Sequence, residues 1–173
     1  MKNDKVKKYT CMLFGEGGRD RKFYEKLTDH RIFQYHTKKW NFHFDNAWGC
    51  SPKEVVEQCI ITKQNVDYDL VICFIDLDVL KREGKKWEVY KIELEKHASD
   101  NGIYIYWHID NAENEYIRVL GQRYKKYNKH QLNEYARKNI YKFVNQDLWN
   151  NLKEIIKKRE NILGKVNRPR LSS

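Results

Sequence analysis

The residues best suited to chemistry in this chain are carboxylates in two short clusters. Glu16 and Asp20 lie in Gly15-Glu16-Gly17-Gly18-Arg19-Asp20, and Asp76 and Asp78 lie in Asp76-Leu77-Asp78. Hard oxygen donors of this kind suit Mg²⁺ or Mn²⁺, and Mg²⁺ in particular keeps several waters and takes one or two carboxylates together with a phosphate. Glu16, Asp76 and Asp78 are therefore read as the metal-binding and catalytic set. Asp20 falls in a first helical turn, where it either caps backbone N–H groups or reaches the ion through water. With a divalent ion in place the reaction class is phosphoryl transfer, and hydrolysis of a phosphodiester follows most directly.

These side chains need elements that hold them at one crevice. Tyr9-Thr10-Cys11-Met12-Leu13-Phe14 is strand-like and ends in glycines, after which Phe23 and Leu27 have helical spacing. Glu16 thus sits at a strand's carboxyl end. Leu70-Val71-Ile72-Cys73-Phe74-Ile75 is apolar without alternation, as in a central parallel strand buried on both faces. Asp76 and Asp78 leave its carboxyl end on one side, because strand side chains repeat every two residues. Asn41-Phe42-His43-Phe44-Asp45 alternates like a further strand. Ser51-Pro52-Lys53-Glu54 is a capping box with proline at the first helical position, ahead of Val55, Val56, Cys59 and Ile60. Lys81 to Lys86 reads as a charged loop. Trp87, Tyr90, Leu94 and Ala98 mark the next helix, which Asn101-Gly102 ends. Ile103 to Trp107 is a strand, and a helix carrying Ile117 and Leu120 begins at Asn111. Alternating β and α elements imply a mainly parallel sheet flanked by helices, with ligands bound at the strands' carboxyl ends.

Glu-Gly-x-x-Asp after the first strand and Asp-x-Asp after a later one resemble the TOPRIM domain, and the chain is most similar to its small RloB-like and OLD-type nucleases. Gly49-Cys50-Ser51-Pro52-Lys53-Glu54-Val55-Val56-Glu57 looks like the glycine turn and helix start of the RloB-like branch, found among bacterial defence genes. In Asp110 to Ile117, Asn111 and Glu115 match that branch, whereas Ala112, Asn114 and Ile117 depart from it. The resemblance implies a Rossmann-like α/β fold and a Mg²⁺-dependent nuclease cutting DNA or RNA, an endonuclease in preference to an exonuclease, in anti-phage defence. It also implies that Glu16, Asp76 and Asp78 carry the reaction, and it suggests Glu115 as a ligand for a second ion, with Glu113 as its nearest competitor.

The chain has 173 residues, room for one domain of ordinary size and a helical extension. The expected division is a TOPRIM domain over 1–121, a basic, tyrosine-rich helical extension over 122–164, and a frayed basic tail over 165–173. Lys and Arg number 34 against 24 Asp and Glu, a formal net charge of +10, which points to a polyanionic partner such as nucleic acid. Arg19, Lys22, Lys81 and Arg82 flank the expected crevice. Arg123, Lys125 and Lys126 alternate with Tyr124 and Tyr127, a pattern that either grips phosphates and unstacked bases or packs its tyrosines on the sheet. Leu148, Leu152, Ile155, Ile156 and Leu163 form an amphipathic helix that docks on the domain, on a second copy, or on a defence partner. A nucleic-acid-binding or partner-dependent regulatory subunit without turnover is the alternative to the nuclease.

No zinc spacing occurs among Cys11, Cys50, Cys59 and Cys73, and no His-Glu-x-x-His or Gly-x-Ser-x-Gly motif is present. His43 and His108, on or near strands, are read as structural. No stretch has the length of a membrane span and the first eight residues carry no apolar core of a signal peptide, so a cytoplasmic location is expected.

Overall fold

The computed structural model describes residues 8–82, 84 and 86–166. Residues 1–7 and most of the tail expected over 165–173 lie outside that range; Lys165 and Val166 close the last helix. The chain is an α/β fold whose four strands, β1 (Tyr9–Gly15), β2 (Trp40–Asn46), β3 (Leu70–Asp76) and β4 (Tyr104–His108), form one all-parallel sheet in the order β2-β1-β3-β4. Helices cover both faces, as expected of a Rossmann-like TOPRIM sheet. In sequence order they are α1 (Gly18–Thr28), α2 (Gln34–Thr37), α3 (Pro52–Lys63), α4 (Leu77–Arg82), α5 (Trp87–Asp100), α6 (Ala112–Leu120), α7 (Lys129–Lys138) and α8 (Asp147–Val166). Two 3₁₀ turns, Gln122–Lys126 and Ile140–Phe143, flank α7.

The central strands are apolar on both faces because both faces are covered. Cys11, Leu13, Ile72 and Phe74 point into a core built with Phe23 and Leu27 of α1, Tyr116 of α6 and Trp149 and Leu152 of α8. Met12, Phe14, Val71, Cys73 and Ile75 point the other way, onto Val55, Val56 and Cys59 of α3 and Leu94 and Ala98 of α5. The two-residue strand period thus feeds two cores from one sequence run. Strand β2 lies at the sheet edge, and its Asn41 and His43 are exposed as the alternation predicts.

The last third of the chain shares the first of these cores. Leu148, Trp149, Leu152 and Ile156 are all buried, so the apolar stripe of α8 is used within the chain. Polar contacts fix α8 as well: Trp40 Nε1 donates to Glu160 at 2.8 Å, and Arg159 Nε donates to the Asp69 carbonyl at 2.6 Å. Tyr124, Tyr127 and Tyr135 meet in tilted and edge-on contacts, with centroids 4.8 to 5.8 Å apart, and pack against the same core. Packing is thus the role these rings play here, while Arg123, Lys125 and Lys126 stay exposed. Among the described residues no helix is long and apolar enough to cross a membrane.

Candidate carboxylate cleft

The order β2-β1-β3-β4 places β1 and β3 side by side, so Glu16, just past β1, meets Asp76, the last residue of β3. Glu16 Oε1 accepts the backbone N–H of Asp76 at 2.8 Å. Asp76 Oδ1 in turn accepts the N–H of Ala112 at 3.0 Å, which pins the start of α6 to the end of β3. Asp20 Oδ2 accepts the N–H of Gly17 at 3.1 Å, the capping role. The glycine turn allows this fit: a Cβ on Gly15 would lie 2.8 Å from Asp20 Cβ, closer than atoms pack. Glu16, Asp20 and Asp76 line one cleft of about 540 Å³, joined by Glu113 from α6. Arg19 and Lys22 of α1, Lys129 of α7 and Trp48 from the loop after β2 complete its wall.

The carboxylates resist ionising together. Burial, reinforced by the charge of Asp76, raises Glu16 from 4.5 to about 7, even though the Asp76 amide favours its anion. Burial likewise raises Asp76 from 3.8 to about 6; His108 opposes the shift, and Asp20 and Glu113 add to it. Burial raises Asp20 too. Such a group of acids is stabilised by any cation that enters it.

Two expected ligands are placed elsewhere. The backbone turns helical at Leu77, so the strand period ends at Asp76 and does not carry Asp78 to the same side. Asp78 sits in the first turn of α4, where Oδ2 accepts Arg82 at 2.6 Å and Asn111 Nδ2 at 3.3 Å, and it does not line the carboxylate cleft. Lys81, on the same short helix rather than in a loop, reaches the Ile109 carbonyl at 3.2 Å and Asp110 at 3.5 Å. Glu115 points inward from α6 and is 7% exposed, its Oε2 accepting His108 Nδ1–H at 2.5 Å. Glu113, two residues before Glu115 and on another face of the helix, is the α6 carboxylate that lines the cleft, with Lys129 3.6 Å from it. Among the described residues no three His, Cys, Asp or Glu groups converge into a preassembled metal site. Mg²⁺ needs only one or two protein carboxylates, and the partly buried oxygens of Glu16 and Asp76 meet that requirement.

Two residues of the cleft wall, Trp48 and Lys129, escape sequence reading, while His108, read as structural, is placed next to the acids. His108, the last residue of β4, pairs in register with Asp76 and lies buried behind the acids, its Nε2 2.7 Å from the Tyr24 hydroxyl. Burial alone would lower its pKa, but the Glu115 hydrogen bond and charge, with Asp76 and Asp20, raise it overall. Trp48, in the loop after β2, and Lys129, the first residue of α7, meet the acids only through the fold. The single available signal was the position of His108 at a strand's carboxyl end.

No family model matches the chain, and no curated protein matches it. Among solved structures, the C-terminal region of the Xanthomonas campestris pv. campestris OLD protein is similar at 14% identity, with 87% of this chain and 81% of that chain covered and a TM-score of 0.31. At that degree of superposition, the site stands on its own geometry alone.

Proposed function

We propose that the protein is a Mg²⁺-dependent phosphodiesterase acting on DNA or RNA at the cleft between β1, β3 and α6. The observation that carries this reading is the convergence of Glu16, Asp20, Asp76 and Glu113 on one cleft in a chain of net charge +10. Glu16 and Asp76 are the residues that would hold the ion, with Asp20 and Glu113 reaching it through water. Asp78 would join them only by giving up Arg82. When bound, Mg²⁺ stabilises charge on the phosphate oxygens and lowers the pKa of coordinated water. Glu16 either completes the shell of the ion or assists proton transfer to or from the attacking or leaving oxygen; its rise to about 7 belongs to the metal-free cleft, and a bound cation favours its anion. Arg19, Lys22 and Lys129 hold the phosphate backbone against the acids' repulsion. The resemblance to RloB-like and OLD-type TOPRIM nucleases extends the reading to endonucleolytic cutting in anti-phage defence.

Asp78 held by Arg82, with no three acids preassembled into a metal site among the described residues, favours the alternative of a binding subunit without turnover. Cleavage of labelled single- and double-stranded DNA and RNA with Mg²⁺, with Mn²⁺ and with chelator separates the two. Metal-dependent cutting is expected, and Glu16→Gln should slow it about 10²- to 10⁴-fold, the range for loss of a general acid or base. Cutting by Glu16→Gln at the parent rate removes Glu16 from the reaction, and binding without cutting in every lane rejects the nuclease.

A further inference from the structure

Trp48 is the most solvent-exposed of the large hydrophobic residues described, at 87%. Its exposure is costly, since fully burying a large apolar side chain contributes about 1.5 to 3 kcal/mol. The same chain buries Trp40 and Trp149 almost completely. Nor is Trp48 on a loose loop. The residue before it, Ala47, is fully buried and donates its N–H to the Gly15 carbonyl at 2.9 Å. The residue after it, Gly49, adopts φ +74° and donates its N–H to the Glu16 carbonyl at 3.2 Å. The backbone on both sides is therefore tied to the turn that carries Glu16, while the indole projects into water at the wall of the carboxylate cleft. Among the described residues no ring stacks on it and no cation covers it.

We infer that Trp48 is a stacking platform for a nucleobase, and that the cleft takes its substrate as an unstacked, single-stranded nucleotide. The inference rests on the nuclease reading and narrows its substrate class. Three observations choose this occupant over another apolar surface. Arg19, Lys22 and Lys129 line the same cleft and supply charge for the phosphates on either side of the base. The carboxylates beside the ring repel an anionic protein surface, yet they suit a phosphate bridged by a metal ion. Trp48 is also the one large apolar side chain among the described residues lining the cleft, whereas a protein interface would offer a wider apolar patch. A base paired inside a duplex has both faces covered by its neighbours, so only an unstacked base has a face to offer. The platform and the Glu16 turn move as one unit, so a base stacked on Trp48 fixes where its phosphate lies relative to the acids.

The test is binding of labelled single-stranded oligonucleotides and matching duplexes to the whole protein in chelator, where no cleavage occurs. Trp48→Ala should weaken single-strand binding about tenfold, within the range for loss of one base–aromatic stack. Trp48→Phe should restore most of it, and duplex binding should change little in either variant. Intrinsic tryptophan emission should be quenched by a single strand in the parent and not in Trp48→Phe. Equal single-strand affinity in parent and Trp48→Ala overturns the platform, even if metal-dependent cleavage is intact. Weakened binding in Trp48→Ala with no cleavage by the parent keeps the platform and removes the nuclease. A change in solution mass on Trp48→Ala, with binding unaltered, would assign the ring to contact between copies and also overturn the inference.

Discussion

At the scale of single residues, the acids of the cleft make the metal-free fold sensitive to pH. Glu16 and Asp76 stand at about 7 and about 6 in the fold, against about 4.3 and about 3.9 for the unfolded chain. A carboxyl whose pKa is raised by folding holds its proton more tightly in the native state. Its stabilising share is complete below the unfolded value and lost as pH rises through the folded one. His108, also raised, acts in the same direction. In chelator the protein should therefore melt at a lower temperature at about pH 8 than at about pH 5, and Mg²⁺ should restore the difference mainly at the higher pH. Thermal melts across that range check it; a flat profile in chelator would count against a shared acidic cleft. The types and turn positions of Glu16 and Asp76 were legible in the sequence. Their mutual repulsion was not, because it depends on β1 and β3 being neighbours.

At the scale of elements, β4 and α6 are joined beneath the cleft by a buried chain of polar side chains. Tyr24 of α1, stacked on Phe74 at 3.9 Å, faces His108, and His108 donates to Glu115. Removing one member of a buried ion pair leaves the other without a partner, at a cost of about 3–5 kcal/mol. Glu115→Ala should lower stability by that order, read as a fall in the denaturant midpoint. A midpoint within error of the parent would show that the pair bears no load, and Arg118, 3.6 Å from Glu115, would then have little to hold. The sequence marks these elements well: Ser51 accepts from Glu54 N–H, and Asn111 accepts from Asn114 N–H, as their capping signatures imply. It does not mark the link, since Tyr24 and His108 are 84 positions apart. Asp78 lies apart from Glu16 and Asp76 for a local reason, the change from strand to helix at Leu77, which shifts the side-chain period from two residues to 3.6.

At the scale of the whole molecule, positive charge extends beyond the cleft. A groove of about 930 Å³ runs beside the edge strand β2, lined by Lys26 and Arg137 and sharing Lys22 with the cleft. Of its two carboxylates, Glu25 is engaged by Arg21 at 3.0 Å, which leaves Asp29 as the main opposing charge. On the proposed function, a nucleic-acid strand leaving the acids would find a cationic path along α1 and α7. The double variant Lys26→Ala/Arg137→Ala should reduce the slope of log affinity against log salt for single strands by roughly 1.4, two contacts at about 0.7 each. An unchanged slope would place the backbone elsewhere, with Arg123, Lys125 and Lys126 the next residues to vary.

Local signals in the sequence determined the strands, the starts of α3, α5 and α6, the glycine turn and the presence of acids at the carboxyl ends of β1 and β3. They did so because strand period, capping chemistry and φ preference act over a few residues. The tertiary structure alone decided which acids share a cleft, admitting Glu113 and leaving Asp78 to Arg82 and Glu115 to His108. It also decided that Trp40 and Trp149 fill cores while Trp48 stands in water. Those outcomes follow from strand order and helix rotation, which are set by packing between segments far apart in the chain.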